Sequence, residues 1–489
     1  MPSPSLAQNI AAHAGRRPSL TALVLNQEQV TYGELADQVS HLSRQLKAAE
    51  LPAGRPVCIP ARKDPATIAL MLAAFTEPLI VLAPSVELGD DALDRICRQA
   101  RVSAKLSVTA GGGLDIRPVP ADESAAEGFA RPTTDTTRLL LTTSGSTGTP
   151  KLVPIGTDAF DAFAAWATEE FRITAEDSSL SYAPLNFDLA LLDVWTFLGA
   201  GARVVLVDRE KATDAPHLKS LVSEGEVTFV QGVPLLYRLL TEGAEGSEGR
   251  FGKVREAVFT GDKTPLDLLK RAEESFPLAR FHNVYGCTET NDSFIHPVDP
   301  GTAEGVVPIG RPLAGVEADV LDDDGRPLTG PGTGELVVRT PFQTQGYLQQ
   351  SLNPDVFIDR DGRTFYRTGD IVTRDAEGRY VLEGRSDWQV KVRGVRTNLQ
   401  EVEAVLAQHP DVEEAAVVAL PDVEAGVRLH ARITKRAGAG LNSLKIRSYA
   451  GQNLPRHAIP SSVRISEIPL PRTSTGKPDR NKIKEETSA

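Results

Sequence analysis

The chain has 489 residues with a formal net charge of -12 at pH 7, and 41% of its residues are hydrophobic. This length exceeds what one hydrophobic core supports, so we expect two or more domains. The acidic balance argues against nucleic acid or a membrane surface as a partner, and no stretch approaches the roughly 18 consecutive apolar residues of a membrane span. Cys58, Cys97 and Cys287 form no C-x-x-C pair, which argues against a disulfide framework or a zinc site and is typical of a cytoplasmic protein.

The N-terminal part of the chain predicts α/β units. Thr31 and Glu34 are spaced as a capping box, and apolar residues at helical spacing follow as far as Leu46. Beyond this helix, short β-rich runs such as "PLIVLAP" and "ARVVLVD" alternate with helical stretches, which is typical of a doubly wound parallel sheet. From about Gly310 to Leu382 the sequence is strand-rich and punctuated by glycine, which predicts antiparallel hairpins.

The pattern changes near "EGRSDWQVKVRG". A second capping box at Asn398 and Glu401 begins a helix, and two strands and another helix follow. These elements predict a small α+β unit with its own core. We therefore expect an N-terminal domain over residues 1–386 and a C-terminal domain over residues 387–489.

The stretch "TTSGSTGTPK", which ends at Lys151, has the composition of a phosphate-binding loop. Glycines let backbone N–H groups turn toward an anion, and the hydroxyl residues add further donors. It is not a P-loop, because Thr149 and Pro150 separate Gly148 from the lysine and the following residues predict a strand rather than a helix. A Ser/Gly-rich linker remains the alternative, although apolar runs flank the loop on both sides.

Further polar clusters follow apolar runs, where ligands bind in open α/β folds. They are "NFD" ending at Asp188, "YGCTET" from Tyr285, "YRTGD" ending at Asp370, "GRSD" ending at Asp387 and "PRTSTGK" ending at Lys477. Each of them alone also has a structural explanation, such as a helix cap or an exposed surface residue.

Taken together and in this order, the six motifs resemble those of the adenylate-forming superfamily of acyl-CoA synthetases, luciferases and nonribosomal peptide synthetase adenylation domains. The resemblance covers nearly the whole chain. It implies a large N-terminal α/β domain with doubly wound subdomains and a β-rich subdomain, plus a small mobile α+β C-terminal domain. It also implies ATP and Mg2+ as cofactors and a two-step ligase reaction, in which an acyl adenylate forms first and a thiol then takes the acyl group.

The resemblance assigns a set of ATP-binding residues, which are Thr143, Ser144, Gly145, Ser146, Thr147, Lys151, Asn283, Tyr285, Gly286, Thr288, Asp370, Arg385 and Lys477. The loop residues would hold the β- and γ-phosphates, Thr288 the α-phosphate and Glu289 the Mg2+ ion. Lys477 would reach the substrate carboxylate and the α-phosphate when the small domain closes. Thr288, Glu289 and Lys477 are therefore the expected catalytic residues, since the transition state concentrates negative charge on phosphorus.

The nucleoside and the hinge are assigned in the same way. Tyr285 and Gly286 would pack along adenine, and Asp370 would accept both ribose hydroxyls with Arg385 as a second contact.

The family's small domain rotates after adenylation, and Asp387 matches its pivot. Gly394 would line the thiol tunnel, with an ordinary strand turn as the alternative, and Arg396 matches a position on the same moving face.

The substrate pocket is expected to bind an amino acid, because Asp188 matches the aspartate that pairs with the substrate ammonium in amino-acid-activating members. The other pocket positions are Leu189, Leu192, Gln231, Thr260, Val284, Asp292 and Ser293. The two leucines suit a small apolar side chain, and the motifs look most like prolyl ligases, so L-proline is the expected substrate. Asp292 departs from this pattern: it could meet a second amine, a hydroxyl or a β-amino group, or lie on a surface loop.

The resemblance also implies partners. No condensation, carrier or thioesterase motif is present, so we expect a free-standing enzyme of natural-product (antibiotic) biosynthesis that loads the phosphopantetheine thiol of a separate carrier protein. The alternatives are an acyl-CoA ligase, which uses the same site, and a nucleotide sensor that binds ATP without turnover. Lys477, Asp370 and Glu289 argue against the sensor, and Asp188 argues against the simple acyl-CoA ligase.

Overall fold

The computed structural model describes the chain except for residues 1–5, 135, 144–149, 244–249, 386–388, 423–425, 437, 472–477 and 489 and the side chains of residues 389, 396, 481 and 488. The described residues form two compact units. The first comprises the N-terminal part up to Val86 with 94–142 and 152–384, and the second comprises the residues from Arg385 onward with the short segments 87–93 and 143–151.

Thirteen α-helices are present among the described residues, and their lengths are ordinary for globular proteins. They are α1 (Leu6–Arg16), α2 (Tyr32–Ala48), α3 (Pro65–Thr76), α4 (Asp90–Gln99), α5 (Thr157–Glu170), α6 (Phe197–Ala200), α7 (Ala215–Glu224), α8 (Pro234–Thr241), α9 (Leu266–Ser275), α10 (Asn353–Val356), α11 (Leu399–Ala407), α12 (Ser443–Asn453) and α13 (Arg480–Ser488). The predicted capping box of α2 is confirmed, since the Thr31 hydroxyl accepts from the Glu34 N–H and the Glu34 carboxylate accepts from the Thr31 N–H.

The largest sheet has nine strands. They are β1 (Thr21–Leu25), β2 (Glu28–Thr31), β9 (Ser178–Ser181), β10 (Arg203–Leu206), β11 (Phe229–Gly232), β12 (Glu256–Thr260), β13 (Arg280–Cys287), β14 (Asn291–Val298) and β15 (Arg311–Pro312). Their spatial order is β15-β14-β13-β12-β11-β9-β10-β1-β2, with a parallel centre from β13 to β1 and antiparallel strands at both edges.

Both faces of this sheet are covered. Phe229 and Val258 pack in one hydrophobic cluster, whereas their chain neighbours Val230 and Ala257 pack in another that contains residues of α7, α8 and α9. Successive side chains of a strand point to opposite faces, so the parallel strands are buried on both sides. The predicted doubly wound arrangement is confirmed.

Two further sheets complete the large α/β part of the chain. One contains β3 (Val57–Cys58), β4 (Val81–Leu82), β5 (Ala104–Val108), β6 (Leu114–Pro118), β7 (Leu139–Thr143) and β8 (Lys151–Ile155), in the order β6-β5-β3-β4-β7-β8. The other is the predicted antiparallel, β-rich part, with β16 (Glu317–Leu321), β17 (Gly332–Arg339), β18 (Phe357–Arg360), β19 (Arg363–Arg374) and β20 (Tyr380–Arg385).

The second unit is α+β, as predicted. Its strands are β21 (Gln389–Val392), β22 (Val395–Asn398), β23 (Val412–Asp422), β24 (Gly426–Lys435) and β25 (Ser462–Ser466). The sheet β23-β24-β25 shares a hydrophobic core with α11 and α12, and the Asn398 side chain caps α11 by accepting from the Gln400 N–H at 2.8 Å. Within the described part of the chain, no helix has the length and apolarity needed to cross a membrane.

Candidate functional site

Asp188 lies in a turn between β9 and an unusual helix. In this turn the Leu191 N–H donates to the Asp188 carbonyl at 2.8 Å, and a π-helix over Leu191–Thr196 follows and continues as α6. The π-helix buries Leu192, while Leu189 lies half-buried in the turn. Short π-helical segments are rare and occur often at functional sites.

Gln231, Thr260 and Val284 lie on the neighbouring strands β11, β12 and β13, on one face of the sheet. Gln231 is paired with Val258, and Thr260 is paired with Val284, so each pair shares a sheet face. Both valines pack in the hydrophobic cluster that contains residues 190–192. The structure thus brings three predicted pocket residues to one face, at or near the carboxyl ends of parallel strands.

The Gln231 side chain has an unusual environment. The residue is 2% exposed, and its Oε1 atom has no hydrogen-bond partner among the described residues. Buried polar atoms in native proteins almost always have a partner. A hydrogen-bond donor on a ligand would supply one here.

Asp292 is the second residue of β14 and is buried. The register shifts between Tyr285 and Gly286, and Gly286 then pairs with Asp292. Asp292 is only 9% exposed, so a surface-loop position is wrong. Burial, together with the nearby negative charge of Asp188, raises the pKa of Asp292 to about 8. The two carboxylates therefore interact with each other.

Two other residues of this region use their polar groups locally. Asn283 accepts from the Thr264 hydroxyl at 3.0 Å and donates to the Pro308 carbonyl at 2.7 Å. Ser293 donates to the Thr290 hydroxyl at 3.1 Å. Both contacts hold the ends of strands in place, and the ATP contact expected of Asn283 and the substrate contact expected of Ser293 stay predictions.

Glu289 is almost completely buried, next to the half-buried Thr288. Its carboxylate accepts a hydrogen bond from the Tyr347 hydroxyl, and its carbonyl accepts from the Thr344 N–H at 2.9 Å. Among the residues that the structure describes, no group of three or more His, Cys, Asp or Glu side chains could hold a metal by itself. A single carboxylate completed by phosphate oxygens and water is how Mg2+ is usually bound, so Glu289 fits the predicted ion.

Asp370 and Tyr285 are in direct contact. The Tyr285 hydroxyl donates to the Asp370 carboxylate, and the Asp370 N–H donates to the Thr368 hydroxyl at 3.0 Å. Burial, followed by the charge of Asp370, raises the pKa of Tyr285 far above its usual value. The Tyr285 ring packs edge-on against Phe294 at 5.7 Å. The structure thus joins the predicted nucleotide and ribose motifs, a contact that the sequence analysis did not foresee.

A second unforeseen pair supports the segment that precedes Asp188. The Lys63 ammonium donates to the carbonyls of Ser181 at 3.0 Å and Tyr182 at 2.7 Å. Burial lowers the pKa of Lys63 to about 8 and raises that of Asp193 in the π-helix to about 7, while the attraction between the two charges opposes both shifts. The aspartate inside the apolar run "LLDVW" was the available sequence signal.

Several assigned residues belong to the second unit. Thr143 ends β7, and its hydroxyl is buried without a partner among the described residues, so it is able to donate a hydrogen bond to a phosphate oxygen. Lys151 begins β8. Arg385 ends β20.

Gly394, with φ +80°, follows Arg393, with φ +52°, in the two-residue turn between β21 and β22. This type I′ turn favours the strand-turn alternative for Gly394, and the tunnel role stays a prediction.

The remaining assignments lie outside the described residues. They are Ser144, Gly145, Ser146 and Thr147 of the loop, Asp387 of the hinge, the Arg396 side chain and Lys477. Their roles stay predictions.

Comparisons with known proteins identify the family of the chain. The family model described as AMP-binding enzyme matches residues 10–348, and the model described as AMP-binding enzyme C-terminal domain matches residues 401–477. An L-proline–[L-prolyl-carrier protein] ligase from Streptomyces coelicolor is 30% identical over 98% of this chain and 95% of its own length.

Two further proteins are similar over almost the full length. A D-alanine–D-alanyl carrier protein ligase from Bacillus licheniformis is 26% identical over 99% of each chain. The structure of the amide bond synthetase McbA from Marinactinospora thermotolerans has a TM-score of 0.84 at 24% identity, covers 99% of each chain and supports the fold alone.

Proposed function

The chain belongs to the AMP-binding enzyme family of adenylate-forming ligases, as its motifs predicted, and we propose that it activates a small amino acid for a carrier protein. In the first step a carboxylate oxygen of the amino acid attacks the α-phosphorus of ATP. The bond from that phosphorus to the oxygen bridging to the β-phosphate breaks, and pyrophosphate leaves. In the second step a phosphopantetheine thiol, losing its proton, attacks the acyl carbon and AMP leaves.

The placement of Asp188 carries the proposal. Asp188 lies in the turn that leads into the π-helix, and its negative charge affects the buried carboxyl of Asp292. A substrate ammonium would offset negative charge in this pocket, whereas a simple fatty or aryl acid would add another carboxylate without a cation. This favours an amino acid over the acids used by acyl-CoA ligases.

The relatives supply the first candidate substrate and the thiol. One is named as an L-proline ligase and another as a D-alanine ligase, and both names specify a carrier protein. L-Proline is therefore the first substrate to test, and a carrier protein is the expected acceptor. A β-amino acid or a small polar amino acid is the second candidate, because the buried Asp292 has no matching group on proline.

The proposed roles of the residues that bind the nucleotide rest on membership of the same family. Asp370 would accept the ribose hydroxyls, and Thr288 and Lys477 would contact the α-phosphate. Glu289 would contribute one ligand to Mg2+, which when bound neutralises phosphate charge.

Amino-acid-dependent ATP/pyrophosphate exchange tests the proposal. The assay uses purified protein with magnesium and a panel of proteinogenic amino acids, β-amino acids, and fatty and aryl acids. We expect the enzyme to catalyse exchange with an amino acid, and we expect the Asp188→Asn variant to lose this activity. Lys477→Ala should also abolish exchange while retaining ATP binding. Exchange only with acids that lack an amine would refute the role of Asp188. The thiol acceptor is identified separately, by offering a carrier protein and free coenzyme A and measuring which of them receives the aminoacyl group.

A further inference from the structure

The pocket described above presents acceptor groups in excess of what one ammonium can satisfy. The Asp292 carboxyl is buried and is affected by the charge of Asp188, and Gln231 Oε1 is buried on the sheet face of Thr260 and Val284 without a partner among the described residues. Among the residues that the structure describes, burial and the charge of Asp188 are what shift the pKa of Asp292, and no basic side chain takes part. The complementary ligand is therefore rich in donors and carries positive charge.

A monoamine leaves part of this set unsatisfied. The single ammonium of proline or alanine can neutralise Asp188, but the Asp292 carboxyl then stays buried beside an apolar side chain. The half-buried Leu189 and the buried Leu192 offer no polar group to replace the missing partner. Leaving a buried polar atom unpaired costs binding energy, which is how polar pockets discriminate against ligands that lack the matching group.

We propose that the substrate is a short-chain diamino acid, with its α-ammonium on Asp188 and its second ammonium received by the buried Asp292. This rests on the proposed amino-acid adenylation and names the substrate class for the same site. The chain between the two amines is short because the two carboxylates are close enough to interact. Binding of the second ammonium favours the ionised form of Asp292, so the carboxyl releases its proton as the substrate binds.

The test compares L-2,4-diaminobutyrate with L-2-aminobutyrate, which has the same carbon chain and lacks the second ammonium. L-2,3-Diaminopropionate, homoserine and L-proline complete the panel in ATP/pyrophosphate exchange. We expect kcat/KM for a diamino acid to exceed that for its matched monoamine by at least about tenfold. Equal or better use of proline, 2-aminobutyrate or homoserine would overturn the proposal, whereas no exchange with any amino acid would overturn the proposed function itself.

Asp292→Asn and Glu274→Gln form a matched pair of variants. Each replaces a carboxyl group by an amide of nearly the same size, but Glu274 is exposed on α9. Asp292→Asn should reduce the ratio of kcat/KM for diaminobutyrate over aminobutyrate by at least about tenfold, whereas Glu274→Gln should leave the ratio unchanged. The ratio is measured within one enzyme preparation, so partial misfolding does not affect it. An unchanged ratio in Asp292→Asn would refute the assignment.

The pH profile gives a second readout. Below pH 8 the ionised fraction of Asp292 in the free enzyme increases about tenfold per pH unit. The KM for diaminobutyrate should therefore fall by up to that factor between about pH 6.5 and 7.5, relative to the KM for aminobutyrate. Asp292→Asn should remove this difference. Parallel profiles for both substrates in the unsubstituted enzyme would contradict the proposal.

Discussion

The Tyr285 hydroxyl donates a hydrogen bond to the Asp370 carboxylate, joining residues that are 85 positions apart. The tyrosine belongs to the strand β13 that carries the nucleotide motif, and the aspartate belongs to β19 in a different sheet. The contact fixes the carboxylate that is expected to receive the ribose. It also aligns two sheets whose strands are far apart in the sequence.

Tyr285→Phe should therefore weaken ATP use. Without the phenol, Asp370 loses a donor in a buried site and its orientation is less restricted, so kcat/KM for ATP should fall about tenfold, as expected for loss of one charge-assisted hydrogen bond. The measurement is exchange at saturating amino acid with ATP and with 2′-deoxy-ATP, and the variant should discriminate less between the two nucleotides.

Tyr380→Phe is the control for this change. Tyr380 packs in the same hydrophobic cluster, and its hydroxyl has no hydrogen bond to another described residue. We expect its ATP kinetics to stay within twofold of the unsubstituted enzyme. Equal losses in both variants would show that the effect is packing rather than the contact with Asp370.

Asp292 should make the stability of the protein depend on pH. Its folded pKa is about 8, far above the value of 3.8 for a free aspartate. Between these values the unfolded chain has released the proton that the folded chain still holds, so stability falls as pH rises, by at most about 1.4 kcal/mol per pH unit. Thermal unfolding midpoints between pH 5 and 8 should show a shallower decline in Asp292→Asn. Identical slopes would contradict the raised pKa.

Lys63→Met should destabilise the protein strongly. The ammonium joins the Ser181 and Tyr182 carbonyls and attracts the buried Asp193, so its removal leaves two acceptors and a carboxylate without a cation. Lys63 is half-buried and its described bonds are to carbonyls, so the expected cost is that of buried acceptors left unpaired, about 1–3 kcal/mol. Urea unfolding measures the loss, and the added Asp193→Asn substitution should restore part of it.

Lys105→Met provides the surface comparison. Lys105 pairs with Asp94 at 2.5 Å, with both side chains partly exposed, and such pairs contribute about 1 kcal/mol or less. A loss in Lys63→Met no larger than in Lys105→Met would mean that the Lys63 contacts are not structurally important.

Local patterns predicted much of the fold. The Thr31 capping box, the alternating strands and helices and the α+β unit after Asn398 all depend on interactions between near neighbours in the sequence. The strand-end positions of Gln231 and Thr260 could also be predicted, because ligand groups cluster at the carboxyl ends of parallel strands.

The parts that could not be predicted depend on distant residues or on irregular backbone. The contact of Tyr285 with Asp370 and that of Lys63 with Ser181 each join different elements, and neither has a local signal. The π-helix over Leu191–Thr196 has the same apolar composition as an α-helix, so periodicity did not distinguish them. The bulge that buries Asp292 depends on the pairing of β13 with β14.

Gly286→Ala tests that bulge directly. A Cβ at this position would lie 2.2 Å from the Asn291 carbonyl oxygen and 2.8 Å from the Asp292 Cα, so the backbone of β14 has to move. Overpacking of this kind typically costs about 1–3 kcal/mol. Because the displaced residue is Asp292 and Gly286 itself is expected to pack along adenine, the KM for the amino acid and the KM for ATP should both rise. Gly330→Ala is the matched control, since nothing lies within 4 Å of its Cβ. We expect Gly330→Ala to retain both KM values and the thermal midpoint. If Gly286→Ala also left these three quantities unchanged, the bulge would not be what positions Asp292.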